Sequence, residues 1–395
     1  MTTTSDKPSM QAAGEGRPIQ QLSRLPSLTG LRIIAASMIY FFHAQFEDVF
    51  KSSNSQNVYV HILGEGGPSG VGFFYVLSGF LLAWSARSSD TARRFWRRRF
   101  FKIYPNHLVT YVIAFVLLIA TGASTGILGP ILNLFLIQAW SPRLLDVISV
   151  NPVAWSLGCE AFFYLLFPLW LRLVRRIRPE RLWAVAIGLL AAMWAVPAIV
   201  GALPLPTGGP RVPFGNITGW QFLLAYTAPP VRTLDFVLGI VMAQIVITGK
   251  WIKLPLGWAF ALFTASYLAA GLVPVMFRLV AITALPIALL IPAAAVADVD
   301  GTRSVFRTRT FVWLGDVSFA FYLWHRMVLK YGHQLLGAKH QWSTPEALLI
   351  LVAGYALTVL LSALLHRFVE VPAMKRFSKP RPKRTIRETA APALT

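Results

Sequence analysis

Apolar stretches of about twenty residues recur from Leu28 to Val369 with polar turns between them, and this recurrence leaves few folds open. Hydrocarbon holds no water to satisfy backbone N–H and C=O groups, so a segment that crosses a bilayer must be a helix or part of a closed barrel. Ten candidate spans lie at residues 28–47, 70–86, 107–122, 153–172, 182–201, 231–248, 255–272, 277–297, 311–330 and 346–368. Hydrophobic residues make up 55% of the 395, charged residues 13%, and mean hydropathy is +0.58, more apolar than a soluble core requires. The expected fold is all-α, a polytopic integral membrane helical bundle of about ten transmembrane helices. The piece at 131–140 (ILNLFLIQAW) is too short to cross and is expected to be re-entrant or interfacial.

A net charge of +21 invites a nucleic-acid reading, and its placement argues against one. With a cytoplasmic N-terminus, 28 of the 37 Lys and Arg fall in inside segments and five in outside segments. Positive charge held on one side sets topology, so both termini are expected in the cytoplasm, with the lipid bilayer as partner. Residues 1–27 are polar, lack an apolar leader and read as a disordered tail. Residues 28–372 form the membrane domain, and 373–395 a basic cytoplasmic tail. Cys159 is the only cysteine, which rules out disulfides and thiolate clusters, and it reads as a small buried residue. No His/Glu spacing suits a metal, and Gly64 to Gly70 (GEGGPSG) reads as a turn before the second span, not a nucleotide loop.

Ionisable residues inside such spans are costly and point to sites. Arg32 and His43 lie eleven residues apart in the first span, roughly three turns plus about 20°, so they share a face about 16 Å apart along the axis. They are expected to line a single cavity. In the fourth span Ser156, Glu160 and Tyr164 follow at one-turn intervals beside Trp155, and Glu160 reads as a site carboxylate. Ser78-Gly79 interrupts the second span, where small residues chiefly serve helix packing. Tyr322 and His325 close the ninth span among aromatics, and His325 reads equally as interface belt or site. The run Arg93 to Pro105 (RRFWRRRFFKIYP) places Arg98, Arg99 and Lys102 near one face of an amphipathic segment expected on the cytoplasmic leaflet. Lipid anchoring is its plain reading, and a mouth for a polyphosphate such as coenzyme A is its sharper one.

Six phrases in register resemble the membrane-bound acyltransferase 3 family of O-acyltransferases. They are Leu28-Thr-Gly-Leu-Arg32 through His43, Gly70 to Phe80 with Tyr75 where Phe is usual, and Arg98-Arg99-Phe-Phe-Lys102-Ile-Tyr104-Pro105. The others are Trp155 to Tyr164, Leu314 to His325, and Arg367 to Pro372. The resemblance covers about residues 25–375, and Lys102 replaces an Arg, keeping charge but losing the bidentate fork. It implies transfer of an acyl group, commonly acetyl, from the co-substrate acyl-CoA to a hydroxyl in a multi-pass protein of the bacterial cytoplasmic membrane, with no permanently bound cofactor.

His43 then suits a general base, because imidazole titrates near neutral pH, and Arg32 suits CoA phosphate or developing oxyanion charge. Arg98, Arg99, Lys102 and Tyr104 are candidates for donor binding. Ser78, Trp155, Ser156, Tyr164, Tyr322 and His325 are candidates for the substrate pocket. Glu160 is expected to orient His43 or the acceptor, with Glu47, one turn beyond His43, as a rival orienter. The acceptor is a sugar, glycan or macrolide-type metabolite, with the outer loops 48–69 and 202–230 as candidate contacts and stand-alone antibiotic-tailoring enzymes as the nearest branch. A secondary transporter or flippase is the rival class, but the two halves show no repeated hydropathy.

Overall fold

Proline suits a helix start, where its missing N–H costs nothing and its φ is preset, and the first helix of the bundle begins on Pro26. The computed structural model describes residues 24–87, 90–123, 126–206, 212 and 215–377, so both expected tails lie mostly outside the described residues. Eleven helices carry the architecture: α1 Pro26–Ala44, α2 Ser53–Leu63, α3 Gly66–Ser85, α4 Ala92–Ala120, α5 Trp155–Arg175 and α6 Leu182–Ala202. They continue as α7 Pro229–Ile247, α8 Leu256–Ala269, α9 Ala284–Val299, α10 Arg309–Gly337 and α11 Thr344–Leu365. No strand occurs among the described residues beyond one isolated bridge.

Among the described residues eight helical stretches are long and apolar enough to cross a membrane, so the chain is a multi-pass membrane protein. Two of the ten expected spans fall short of that measure. Leu256–Leu272 is apolar but only 17 residues long, and α10 has the length but carries Asp316, Arg326 and Lys330. The outer faces stay apolar where lipid would lie: Leu349 on α11 is 70% exposed and Ile119 on α4 is 61%. The short piece expected at 131–140 is a seven-residue helix, Leu128–Leu134, followed by a single turn.

At several seams of the bundle the helices meet at backbone contact. A methyl group on Gly79 of α3 would strike the carbonyl of Phe236, and one on Gly239 of α7 would strike the carbonyl of Val76. The packing role read for the small residues of the second span therefore belongs to Gly79. On another seam Gly315 of α10 leaves no room for a Cβ against the Thr29 carbonyl of α1. At the far end of the same pair, Lys51 N–H donates to the Trp342 carbonyl and Trp342 N–H to the Val49 carbonyl, both at 2.9 Å.

Two local expectations change. Gly66, Gly67 and Gly70 are helical and not a turn, because they begin α3 flush against Met38, Phe42 and Ala35 of α1. The basic run is likewise no separate surface segment. It forms the first half of the 29-residue α4, which continues through Pro105; Arg93, Arg94 and Arg97 stay exposed, while Arg98 pairs with Asp90 just before the helix and Lys102 with Glu370.

Candidate active site

Cations on α1 and α4 face a carboxylate and hydroxyls on α3, α5 and α10 across one cleft of about 890 Å³, its mouth included. Arg32, Ser78, Arg99, Lys102, Ser156, Glu160, Tyr164 and Tyr322 all line it. The one-turn spacing read along the fourth span does bring Ser156, Glu160 and Tyr164 to a common wall. The Tyr164 hydroxyl donates to Glu160 Oε2 at 3.3 Å, so the Ser78 hydroxyl, 3.0 Å away, donates to Tyr164. Ser156 Oγ lies 2.8 Å from Tyr322 Oη.

The four donor-binding candidates of α4 separate on inspection of their partners. Arg98 forks onto both oxygens of Asp90 at 2.9 Å and does not line the cleft. That fork holds the Asp90 carboxyl below the usual range. Tyr104 stacks on Phe100 at 4.9 Å and also misses the cleft, because its ring sits on the aromatic flank of α4. Lys102 lines the cleft but its ammonium is engaged by Glu370, which sits in a π turn (His366–Glu370) and is 1% exposed. Asn106 donates to the second oxygen of Glu370 at 2.8 Å.

Arg99 remains, its guanidinium 5.8 Å over the Phe95 ring and its Nε buried without a hydrogen-bond partner. Among the described residues neither Arg99 nor Arg32 forms an ion pair with a carboxylate. The cleft thus holds two arginines ready for an anion from outside the chain, in a setting where an unpaired charge is costly.

His43 does not line this cleft, so the single cavity expected for Arg32 and His43 is not found. Its Nδ1 lies 2.9 Å from the Ile39 carbonyl and 3.1 Å from Nε2 of His325, which is wholly buried. Tyr322 forms the cleft wall, and its ring is 5.5 Å from that of His325. Neither expected carboxylate orients His43. Glu160 is taken by Tyr164, and Glu47 is bonded by Arg326 with His333 Nδ1 3.5 Å from its other oxygen. Trp155 also stays behind the wall, packed on Tyr226 at 5.0 Å, since its ring points to the π turn before α7.

A second, wider cavity of about 1710 Å³ opens beside the C-terminal end of α1. Phe42 and Phe46 line it, and their rings flank His43 at 5.1 and 6.0 Å. Gln45, Gln56, Asn57 and Tyr267 give it polar walls, braced by a 2.6 Å ion pair between Glu65 and Arg278. The segment 48–69, expected as a loop, is largely α2 and the start of α3 and lines this cavity with Gln56, Asn57 and Glu65, whereas the described part of 202–230 offers it only Gly215. Glu370 and Asp90 are the residues that sequence reading missed. Their signal was present, since a carboxylate in an apolar or basic context needs a cationic partner.

A helical membrane bundle with acid, hydroxyl and arginine side chains converging on one cleft is the architecture of an integral-membrane group-transfer enzyme. The acyltransferase 3 model, described as an acyltransferase domain, matches residues 25–367, and the chain belongs to this family of O-acyltransferases. It is 42% identical to the acyltransferase MdmB of Streptomyces mycarofaciens over 94% of this chain and 98% of that protein. It is 25% identical to the peptidoglycan O-acetyltransferase OatA of Listeria monocytogenes over 89% of this chain and 56% of that protein. Identity to the exopolysaccharide production protein ExoZ of Rhizobium meliloti is 27%, over 67% and 77% of the two chains. No solved structure matches.

Proposed function

We propose that the protein carries an acetyl group from acetyl-CoA to a hydroxyl of a sugar, a polysaccharide or a macrolide-type metabolite, with His43 as general base. The observation that carries this reading is the pair Arg32 and Arg99, neither held in an ion pair among the described residues, in a cleft whose other charged groups are Glu160 and the Glu370-bound Lys102. Guanidinium groups match phosphate oxygens with charge-assisted bonds, and the phosphates of CoA supply that partner. The donor enters at the end of the bundle that bears the basic run, and its acyl end lies toward Tyr322. His43 lies beside His325, whose ring meets that of Tyr322, and its other neighbours Phe42 and Phe46 line the second cavity, where an acceptor finds amides for its hydroxyls and aromatic rings for its apolar faces.

His43 takes the proton from the acceptor hydroxyl as its oxygen attacks the thioester carbonyl. The carbon–sulfur bond then breaks, and the CoA thiolate recovers the proton from His43.

Loop charge supports a bundle of ten spans, with α8 and α10 completing it and both termini in the cytoplasm of a bacterium. Likeness to an acyltransferase of a Streptomyces over 94% of this chain supports acyl transfer as the reaction. Mass spectrometry of candidate acceptors after incubation of membranes with isotopically labelled acetyl-CoA tests it, and the expected result is a labelled acetyl mass gain. His43→Ala and Arg32→Ala should abolish that gain while the protein still inserts. Retained turnover in purified His43→Ala overturns the base, and uptake of an unmodified acceptor favours a transporter.

A further inference from the structure

We infer that His325 is a positioning residue that fixes the tautomer of His43 and so selects Nε2 as its basic atom, an inference that rests on His43 being the base. The hydrogen-bond partners decide the protons. His325 Nδ1 lies 2.6 Å from the Tyr322 carbonyl, which only accepts, so this nitrogen carries the hydrogen. In the neutral ring Nε2 then presents a lone pair, and that atom is 3.1 Å from His43 Nδ1. His43 Nδ1 is also 2.9 Å from the Ile39 carbonyl, a second pure acceptor. Both neighbours ask for the same proton, so Nδ1 of His43 is the N–H and its Nε2 carries the free lone pair.

The chain of contacts runs from a backbone carbonyl through a buried imidazole to the base. It has the form of a triad in which a neutral ring takes the place usually held by a carboxylate. When His43 accepts the acceptor's proton at Nε2, the imidazolium keeps its Nδ1–H on His325, and the same proton leaves from Nε2 to the CoA thiolate. The charged groups around the pair are Arg326 and Glu47, bonded to each other, with His333 at the second oxygen of Glu47. Glu47 is thereby prevented from competing for His43.

Two variants separate positioning from packing. His325→Phe fills the space with no acceptor, whereas His325→Gln places an amide oxygen near the lost Nε2. CoA thiol release from acetyl-CoA is followed in detergent-purified protein supplied with a panel of sugars, polysaccharides and macrolides, with gel filtration confirming the fold. His325→Phe should lower kcat by about 10–100-fold at an unchanged KM for acetyl-CoA, and His325→Gln should recover most of it. Full activity in His325→Phe overturns the inference, as does equal loss in both folded variants. If His43→Ala is inactive while His325→Phe is not, positioning alone fails; if His43→Ala is active, the base itself fails.

Discussion

Cations with similar side chains perform different tasks here, and the carboxylate that each meets decides which. Arg98 is spent on Asp90 at a half-exposed site, so Arg98→Ala should leave the KM for acyl-CoA unchanged, whereas Arg99→Ala should raise it about tenfold or more, the loss of one charge-assisted contact. Because the fork depresses the Asp90 carboxyl, its stabilisation is present above the ordinary carboxylate pKa and is lost as pH falls through the depressed one. The melting-temperature gap between the wild type and Arg98→Ala should therefore close in strong acid. Lys102 offers a sharper contrast. Lys102→Met leaves the buried Glu370 carboxylate with Asn106 and with His366, whose Nδ1 lies 3.4 Å from it, but without its Lys partner, and stability should fall by about 3–5 kcal/mol. Adding Glu370→Gln should restore much of it, as read by thermal unfolding in detergent.

Helix by helix, the glycines at crossing points are where a single methylene has most effect. Gly239→Val drives a branched side chain into the carbonyl of Val76 and should part α3 from α7, so that the protein elutes from gel filtration as aggregate. Ser78, one residue from Gly79, has the other role: Ser78→Ala loses a donor to Tyr164 and should cost activity before stability. Sequence alone could read that Ser156, Glu160 and Tyr164 share a wall, because helical periodicity is a local property. It could not read that Arg98 leaves the cleft, since its partner Asp90 lies across a turn, or that Lys102 meets Glu370, 268 residues away. His43 and Arg32 were legible as one face of α1, but a shared face specifies direction and not which neighbour fills the space beyond it.

At the scale of the whole molecule, hydropathy disclosed an all-helical membrane bundle, and it overstated the uniformity of the spans. α10 is too polar to qualify by hydropathy, yet it lies against α1, puts Tyr322 in the cleft wall and sets His325 against His43, so these groups face the interior of the bundle. Cysteines placed in the tail after Phe377 should react with impermeant maleimides only in inverted vesicles if both ends face the cytoplasm. The Thr29–Gly315 contact at one end of α1 and α10, with the paired amides of Val49, Lys51 and Trp342 at the other, has a mechanical consequence. Fastened at both tips, these two helices are expected to move as one strut that holds the two imidazoles at a fixed spacing. Room for the proposed donor should then come from the walls that face the strut, chiefly α4 and α5, and a disulfide engineered between α1 and α10 should leave turnover intact.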